Sequence, residues 1–179
     1  MSEINRSIRK YLKRLTLISI LTTSIPITSV ADEWKISVSG YGPVSVGMTI
    51  KQAEKLLSTQ LQTWDNRRIQ PSCDHLFPKT GHKGVSFMFQ NGVITHARVD
   101  TRGITSDLGI NVGDPALKIK ELYGSKLEIQ PNHYDEEAFY YFMWQHKWNS
   151  GIKYDVGSDG IVQTISGGDG TIRLVEGCS

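Results

Sequence analysis

The sequence predicts an α+β protein of two tandem modules, each a strand, a helix and an antiparallel hairpin, with the helices packed on one side of an antiparallel sheet. A repeat is the first observation: residues 44–58, VSVGMTIKQAEKLLS, return 66 residues later as residues 110–124, INVGDPALKIKELYG. The second is a pair of turn dipeptides between alternating runs, Asn-Gly at 91–92 and Asp-Gly at 159–160. Helices followed by antiparallel strands are typical of α+β folds.

The first 31 residues are predicted to be a secretory signal peptide. Five basic residues precede the apolar stretch 15–30, and Ser29-Val30-Ala31 supplies the small residues of a cleavage site. This stretch is short for a membrane span, so we expect no stable span after cleavage, although an uncleaved anchor is the alternative. We therefore expect a periplasmic or secreted protein.

Cleavage would reverse the net charge of the chain. It removes five basic and one acidic residue from totals of 20 and 18, which leaves 15 basic and 17 acidic residues, a net charge of −2. No basic field then remains to favour nucleic acid or an anionic membrane as a partner.

The first module is expected to span residues 32–102. Thr49 and Gln52 form a capping box at the start of its helix. The apolar residues at positions 50, 53, 56 and 57 then share one helical face, which predicts that this face packs against the sheet.

A long irregular loop is predicted over residues 64–83, which contain two prolines. Cys73 lies in this loop, and Cys178 lies at the end of the chain. Two cysteines in an exported protein predict one disulfide, which would tether the loop, while a pair of free or intermolecular thiols is the alternative.

The second module is expected to span residues 103–179, either as a separate subdomain or in one continuous domain with the first. Asp114 is predicted to cap its helix, with Pro115 at the first helical position. An aromatic strand is predicted over residues 139–148, and a last strand over residues 171–175.

The run VGMTIKQAEKLL, followed by an extended segment and a hairpin, resembles small envelope modules of the BamE (SmpA/OmlA) type. Two such modules in tandem are similar to the β-lactamase inhibitory protein. The pattern GPVSVGMT, GINVGDP, LYG, PNHY and VEGC also resembles a group of uncharacterised exported bacterial proteins. These resemblances imply a binding or assembly module without catalytic residues. The chain departs from the BamE type because it lacks a lipobox cysteine and is duplicated.

Candidate metal and catalytic residues are each better explained otherwise. The five histidines show no close ligand spacing, and residues 155–160, a weak calcium-loop pattern, are explained by a hairpin turn. Cys73 precedes Asp74-His75, but export favours a disulfide over a catalytic thiol. Residues 133–137 combine a histidine with carboxylates and are expected to form a solvated loop. We predict no catalytic residue, metal or cofactor.

The densest aromatic segment is the strand at residues 139–148, where six of ten residues are aromatic. Alternate residues of a strand face opposite sides, so one phase turns Tyr141 outward and the other exposes Phe142 and Trp144. Outward aromatic residues are effective in recognition, although core packing also explains them.

We therefore expect a non-enzymatic protein-recognition module, of inhibitor or immunity type, that binds an envelope or extracellular protein through an aromatic sheet face. An envelope-assembly accessory is the alternative, followed by a small periplasmic hydrolase or a ligand-binding protein. The predicted contact residues are Tyr134, Tyr141, Trp144 and Trp148.

Overall fold

The computed structural model describes residues 34–145 and 149–178 of the chain. The predicted signal peptide and Trp148 lie outside the described residues. The described residues belong to one compact unit. No helix in the described ranges is long and apolar enough to cross a membrane.

Strands dominate the described part of the chain. In order they are β1 (Ile36–Ser37), β2 (Gly40–Tyr41), β3 (Val44–Ser45), β4 (Leu61–Gln62), β5 (Cys73–Pro78), β6 (Val85–Gln90), β7 (Val93–Val99), β8 (Leu127–Pro131), β9 (Phe139–Gln145), β10 (Ser150–Val156) and β11 (Val162–Gly168). The α-helices are α1 (Ile50–Leu57) and α2 (Ala116–Tyr123), and two 3-10 helices span Gly124–Lys126 and Gly170–Arg173. Strands β1 to β3 form a small sheet, and β4 to β11 form a sheet of eight strands.

The predicted α+β fold is wrong, because the described chain is mostly β. Each α-helix has only eight residues, about two turns, and is too short to form a layer over eight strands. The predicted loop at 64–83 contains β5, and the predicted last strand at 171–175 begins in a 3-10 helix. Asp74 is one of the two buried residues of β5, so this strand lacks the apolar alternation that reveals a strand in sequence.

The large sheet joins two antiparallel meanders. Its strand order is β4-β5-β6-β7-β11-β10-β9-β8, so the last strands of the two meanders pair with each other, as in the alignment of Val99 with Ile165. Each meander follows one α-helix along the chain. The two halves therefore share one continuous sheet, while the sequence repeat and the module boundary at residues 102 and 103 stay predictions.

The two helices begin differently. The capping box of α1 is confirmed: the Gln52 N–H donates to Thr49 Oγ1 at 3.4 Å, and the Thr49 N–H donates to Gln52 Oε1 at 2.9 Å. Helix α2 begins one residue later than predicted, with Pro115 at the cap position. Asp114 instead pairs with Lys118 at 2.7 Å, so its carboxylate supports the first turn from outside the helix.

The hydrophobic core lies on one face of the large sheet, called the inner face. Five residues at most 4% exposed align across neighbouring strands on this face: Val85, Val99, Ile165, Tyr154 and Tyr141. The small sheet approaches the same face at Gly167. A Cβ added at Gly167 would lie 1.8 Å from the Ser37 carbonyl oxygen, so glycine at this position lets β1 pack against β11.

The opposite, outer face is crossed by residues 170–178, called the strap. Its Ile172 side chain is 1% exposed, which shows that the strap covers part of the sheet. A disulfide joins Cys178 of the strap to Cys73 of β5, with the Cα atoms 5.3 Å apart. The predicted disulfide is therefore confirmed, and it fastens the end of the chain to the outer face.

Candidate functional site

Polar side chains form a row across the outer face. Backbone pairing aligns Ser86 of β6, Arg98 of β7, Ser166 of β11 and Lys153 of β10. Directly opposed residues in a sheet have Cβ atoms about 5 Å apart, so hydroxyl groups and cations alternate along this row. We call these four residues the polar row.

His96 lies two residues before Arg98 on β7, on the same face, and is held in one tautomer. Its Nδ1 is 2.9 Å from Thr171 Oγ1, and this hydroxyl donates to Asp169 Oδ1 at 2.7 Å. The hydroxyl proton is thereby used, so Nδ1 of His96 is the donor to Thr171. Burial, together with the charge of Lys153, lowers the pKa of His96 to about 3. The imidazole is therefore neutral at physiological pH and links β7 to the strap.

His75 supports the strap from β5. The Cys178 N–H donates to its Nε2 at 3.4 Å, and a Cβ added at Gly177 would lie only 2.4 Å from the same atom. The strap backbone thus rests directly on the imidazole ring. Burial lowers the pKa of His75, and the positive charge of Arg98 lowers it further. This favours a neutral imidazole here as well.

The two cations of the polar row have different surroundings. Lys153 is 8% exposed, with its Nζ 3.2 Å from Asp155 Oδ1 and 4.9 Å from the centroid of the Tyr140 ring. Arg98 is exposed, and no carboxylate of the described residues lies within 4.0 Å of its guanidinium. The lysine charge is therefore compensated within the protein, whereas the arginine charge is open to a ligand.

A cavity of about 260 Å³ lies between the polar row and the strap. Six polar residues that line it are His75, Ser86, His96, Arg98, Lys153 and Ser166. Two carboxylates, Asp100 and Glu176, also line the cavity, and Ile172 and Leu174 contribute apolar surface. The cavity therefore offers several hydrogen-bond donors, among them the Arg98 guanidinium, to a small molecule.

Beyond this cavity the strap closes over the aromatic strand. The Arg173 guanidinium lies 5.3 Å from the centroid of Phe142 and 4.9 Å from that of Trp144. Arg173 also donates to both oxygens of Glu128 at 2.8 and 2.9 Å, and the Trp144 indole N–H donates to Glu128 at 3.0 Å. These contacts hold the two stacked rings against the protein rather than presenting them to solvent.

The predicted contact residues do not share one surface. Tyr141 is 4% exposed on the inner face, where it presents little area to a partner, because β9 has the phase that turns Phe142 and Trp144 outward. Trp144 is half-buried on the outer face. Tyr134 is 67% exposed and its hydroxyl donates to Glu176 of the strap. Their role in binding stays a prediction.

A second concave surface lies beside α2. It has a volume of about 530 Å³, and its apolar lining residues are Leu108, Leu122, Tyr123 and Met143. Leu108 is 51% and Leu122 is 43% exposed. We call this surface the α2 groove. It leaves two large apolar side chains open to a partner.

Groups that would support catalysis or metal binding do not converge in the described residues. No group of three or more His, Cys, Asp and Glu side chains is arranged to hold a metal ion there. Within the same ranges, no hydrogen bond joins the Ser86 or Ser166 hydroxyl to His75 or His96.

The sequence contains a signal for two members of the polar row. Arg98 and Lys153 each lie between two buried apolar residues, a pattern of period two that places both on solvent-facing sides of their strands. The alternation does not tell which polar residues of different strands become neighbours. Pairing between β7 and β11, whose aligned residues Arg98 and Ser166 lie far apart in the chain, decides that.

Comparison with protein-family models finds no match, and comparison with curated proteins finds none. Among solved structures, the chain is similar to the uncharacterized protein YfeY from Escherichia coli, with 15% sequence identity and a TM-score of 0.48. The similarity covers 75% of this chain and 99% of that one. The resemblances to BamE-type modules and to the β-lactamase inhibitory protein stay expectations.

Proposed function

We propose that this protein is an exported, non-enzymatic binding protein that recognises another protein of the envelope or the extracellular space. The α2 groove is the observation that supports this proposal, because Leu108 and Leu122 stand about half exposed in one concavity. Completing the burial of a half-exposed leucine contributes about 1 kcal/mol. A partner that fills the groove would gain this from both side chains.

The composition of the groove resembles that of a protein interface. Four apolar or aromatic residues line it, and the charged Glu121 and Lys126 line it as well. Specific interfaces commonly combine a desolvated apolar centre with a polar rim. The predicted aromatic face is supported less well, since Tyr141 is buried and Trp144 is held beneath Arg173.

Export rests on the predicted signal peptide and agrees with the disulfide between Cys73 and Cys178, a bond that persists in oxidising compartments. An inhibitor or immunity protein is one form that the proposed function takes, and an envelope-assembly accessory is the alternative. A hydrolase that uses His96 as its base is disfavoured, because an imidazole with a pKa of about 3 is a weak base at neutral pH.

The test compares capture by the protein with and without the groove. The oxidised protein lacking residues 1–31 is immobilised, bound envelope proteins are identified, and each is purified and its Kd measured directly. A double variant, Leu108→Asp with Leu122→Asp, places charged side chains in the groove. It should weaken binding at least about tenfold, because burying an unpaired charge is costly. Trp64→Asp is the control, since Trp64 is 79% exposed and does not line the groove.

Two results would contradict the proposal. One is a captured partner that binds the double leucine variant as tightly as the wild type, while both proteins retain the same circular dichroism spectrum. The other is an equal loss of affinity in the Trp64→Asp control. If Tyr134→Ala loses binding and the double leucine variant does not, the contact surface is instead the loop before β9. Tyr134 of that loop is one of the contact residues predicted from the sequence.

A further inference from the structure

We propose that the outer-face cavity binds a small organic carboxylate and that Arg98 holds its carboxylate group. This site is separate from the α2 groove, which is lined by the inner-face residue Met143. The carboxylate site is therefore tested independently of the proposed protein-recognition function.

The first support is the set of donors around Arg98. Ser86 and Ser166 are its direct cross-strand neighbours on the two sides, so a hydroxyl flanks the guanidinium on each. A guanidinium presents parallel N–H groups that match the two oxygens of a carboxylate. Arg98 lines the cavity, is exposed, and has no carboxylate of the described residues within 4.0 Å. Its bidentate position is thus open to a ligand.

The second support is the charge balance along the polar row. Lys153 is paired with Asp155 at 3.2 Å, so that cation is already compensated. The two histidines of the cavity are neutral at physiological pH, because burial lowers the pKa of both. In the row itself, Arg98 is therefore the cation without a carboxylate of the described residues within 4.0 Å.

Asp100 and Glu176 decide between a carboxylate and a phosphate. Both line the same cavity, so their negative charges would repel a doubly charged phosphate more strongly than a singly charged carboxylate. A carboxylate carries one negative charge and a carbon chain. Ile172 and Leu174 provide apolar surface for that chain, so the lining fits an organic acid better than an inorganic dianion.

The size of the cavity limits the ligand. Its volume of about 260 Å³ lies just below the range of about 300 to 1,000 Å³ that is typical of small-molecule sites. The strap bounds the cavity on one side, because the backbone at Gly177 rests on His75 and the disulfide at Cys178 holds the chain end in place. A short-chain or aromatic monocarboxylate fits this space, whereas a folded protein segment does not.

The test is an NMR titration of the oxidised, ¹⁵N-labelled protein lacking residues 1–31, at pH 7 and constant ionic strength. The probes are acetate, butyrate and benzoate, with inorganic phosphate and butylammonium as comparisons. At least one carboxylate should give saturable shifts at the amides of Ser86, Arg98 and Ser166. Butylammonium should give none at these positions.

Variants then test the role of Arg98. Arg98→Gln should raise the carboxylate Kd at least about tenfold, because a hydrogen-bonded charge pair is lost. Arg98→Lys keeps the charge without the planar fork and should have an intermediate Kd. Arg68→Gln is the matched control, since Arg68 is exposed and does not line the cavity, and it should change the Kd less than about twofold.

Four results would each overturn the proposal: no saturable shift with any of the three carboxylates up to about 50 mM, tighter binding of phosphate, an equal response to butylammonium, or an unchanged Kd in Arg98→Gln. If Arg98→Gln changes the spectrum of the free protein throughout, its fold is altered, and the Kd of Arg98→Lys becomes the test of the contact. A Kd for Arg98→Lys equal to that of the wild type would then reject the bidentate contact. Capture of a protein partner at the α2 groove is unaffected by any of these outcomes.

Discussion

The Asp74 carboxylate receives two parallel hydrogen bonds from the Arg67 guanidinium, at 2.7 and 2.8 Å. Asp74 is 3% exposed at the beginning of β5, and it also accepts from the backbone N–H of Gln70 at 2.9 Å. The segment before β5 is therefore fastened to the sheet by an ion pair. Cys73, the neighbouring residue, holds the end of the chain, so two attachments meet at one place on β5.

Asp74→Asn should destabilise the protein by about 1–3 kcal/mol at pH 7, because it removes charged hydrogen bonds from a buried position. Burial raises the pKa of Asp74, but the hydrogen bonds from Arg67 outweigh burial and lower it below the ordinary value. The stabilisation is thus complete above the unfolded pKa of about 4 and is lost as the pH falls through the lower folded pKa. Urea unfolding between pH 7 and pH 3 measures this.

The exposed residue Asp65 supplies the control for that measurement. Its carboxylate lies 3.7 Å from the same guanidinium, and Asp65→Asn should change stability by less than about 0.5 kcal/mol. Equal effects of the two substitutions would show that the Asp74 hydrogen bonds add nothing beyond a surface charge.

His96→Gln should weaken the response of the protein to mild acid. In the native protein the pKa of His96 is about 3, whereas an unfolded histidine has a pKa of about 6.5. The unfolded state therefore binds a proton first, and stability declines as the pH falls from about 6.5 towards 3, by about 1.4 kcal/mol per pH unit. The variant lacks this contribution. Thermal unfolding from pH 7 to pH 4 should show a shallower slope for His96→Gln than for the wild type.

His133→Gln is the matched control, because His133 is exposed in the loop before β9. Its slope should equal that of the wild type. A His96→Gln slope as steep as that of the wild type would mean that other groups cause the acid sensitivity.

Replacement of both cysteines by serine should lower the free energy of unfolding by about 5 kcal/mol in the chain-entropy model, since the disulfide closes a loop with a sequence separation of 105. The strap should exchange its amide protons faster, because the fastening at Cys178 is lost. Hydrogen exchange of residues 170–178 and urea unfolding measure the two effects. Similar exchange in wild type and variant would show that Ile172 and Arg173 hold the strap without the bond.

Gly167→Ala should cost about 3 kcal/mol, because its Cβ would meet the Ser37 carbonyl oxygen at 1.8 Å and neither backbone can move freely in the core. Gly160→Ala provides the comparison. Gly160 has a φ of +74° but no neighbour within 4 Å of an added Cβ, so only backbone strain of about 1 kcal/mol is expected. Chemical denaturation of both variants gives the difference, and a smaller loss for Gly167→Ala would contradict the close packing of β1 on β11.

The capping box and the hairpin of β6 and β7 show what local sequence can predict. Thr49 and Gln52 satisfy each other within one helical turn, and Asn91 and Gly92 both adopt positive φ in the turn between paired strands. The capping hydrogen bonds and the turn conformation involve only residues close in the chain, so both can be predicted without a structure. The predicted α+β class is wrong because these strong helix signals belong to helices of only two turns.

The candidate sites depend on contacts that no local pattern contains. Arg98 and Ser166 become neighbours only through the pairing of β7 with β11, and the strap reaches His96 only because the chain returns across the outer face. Likewise, the phase of β9 is decided by its pairing with β10, which buries Tyr141 and turns Trp144 outward. Aromatic residues on both sides of that strand made either phase consistent with the sequence.

The sequence by itself determined the capping box of α1, the hairpin turns and the pair of cysteines that form the disulfide, because each depends on residue type and short-range geometry. Tertiary structure alone decided that the two halves share one sheet, which face each strand buries, and where polar groups converge. The physical reason is that a strand's neighbours come from distant parts of the chain, and burial against them selects the register. The polar cavity and the α2 groove are both products of that selection.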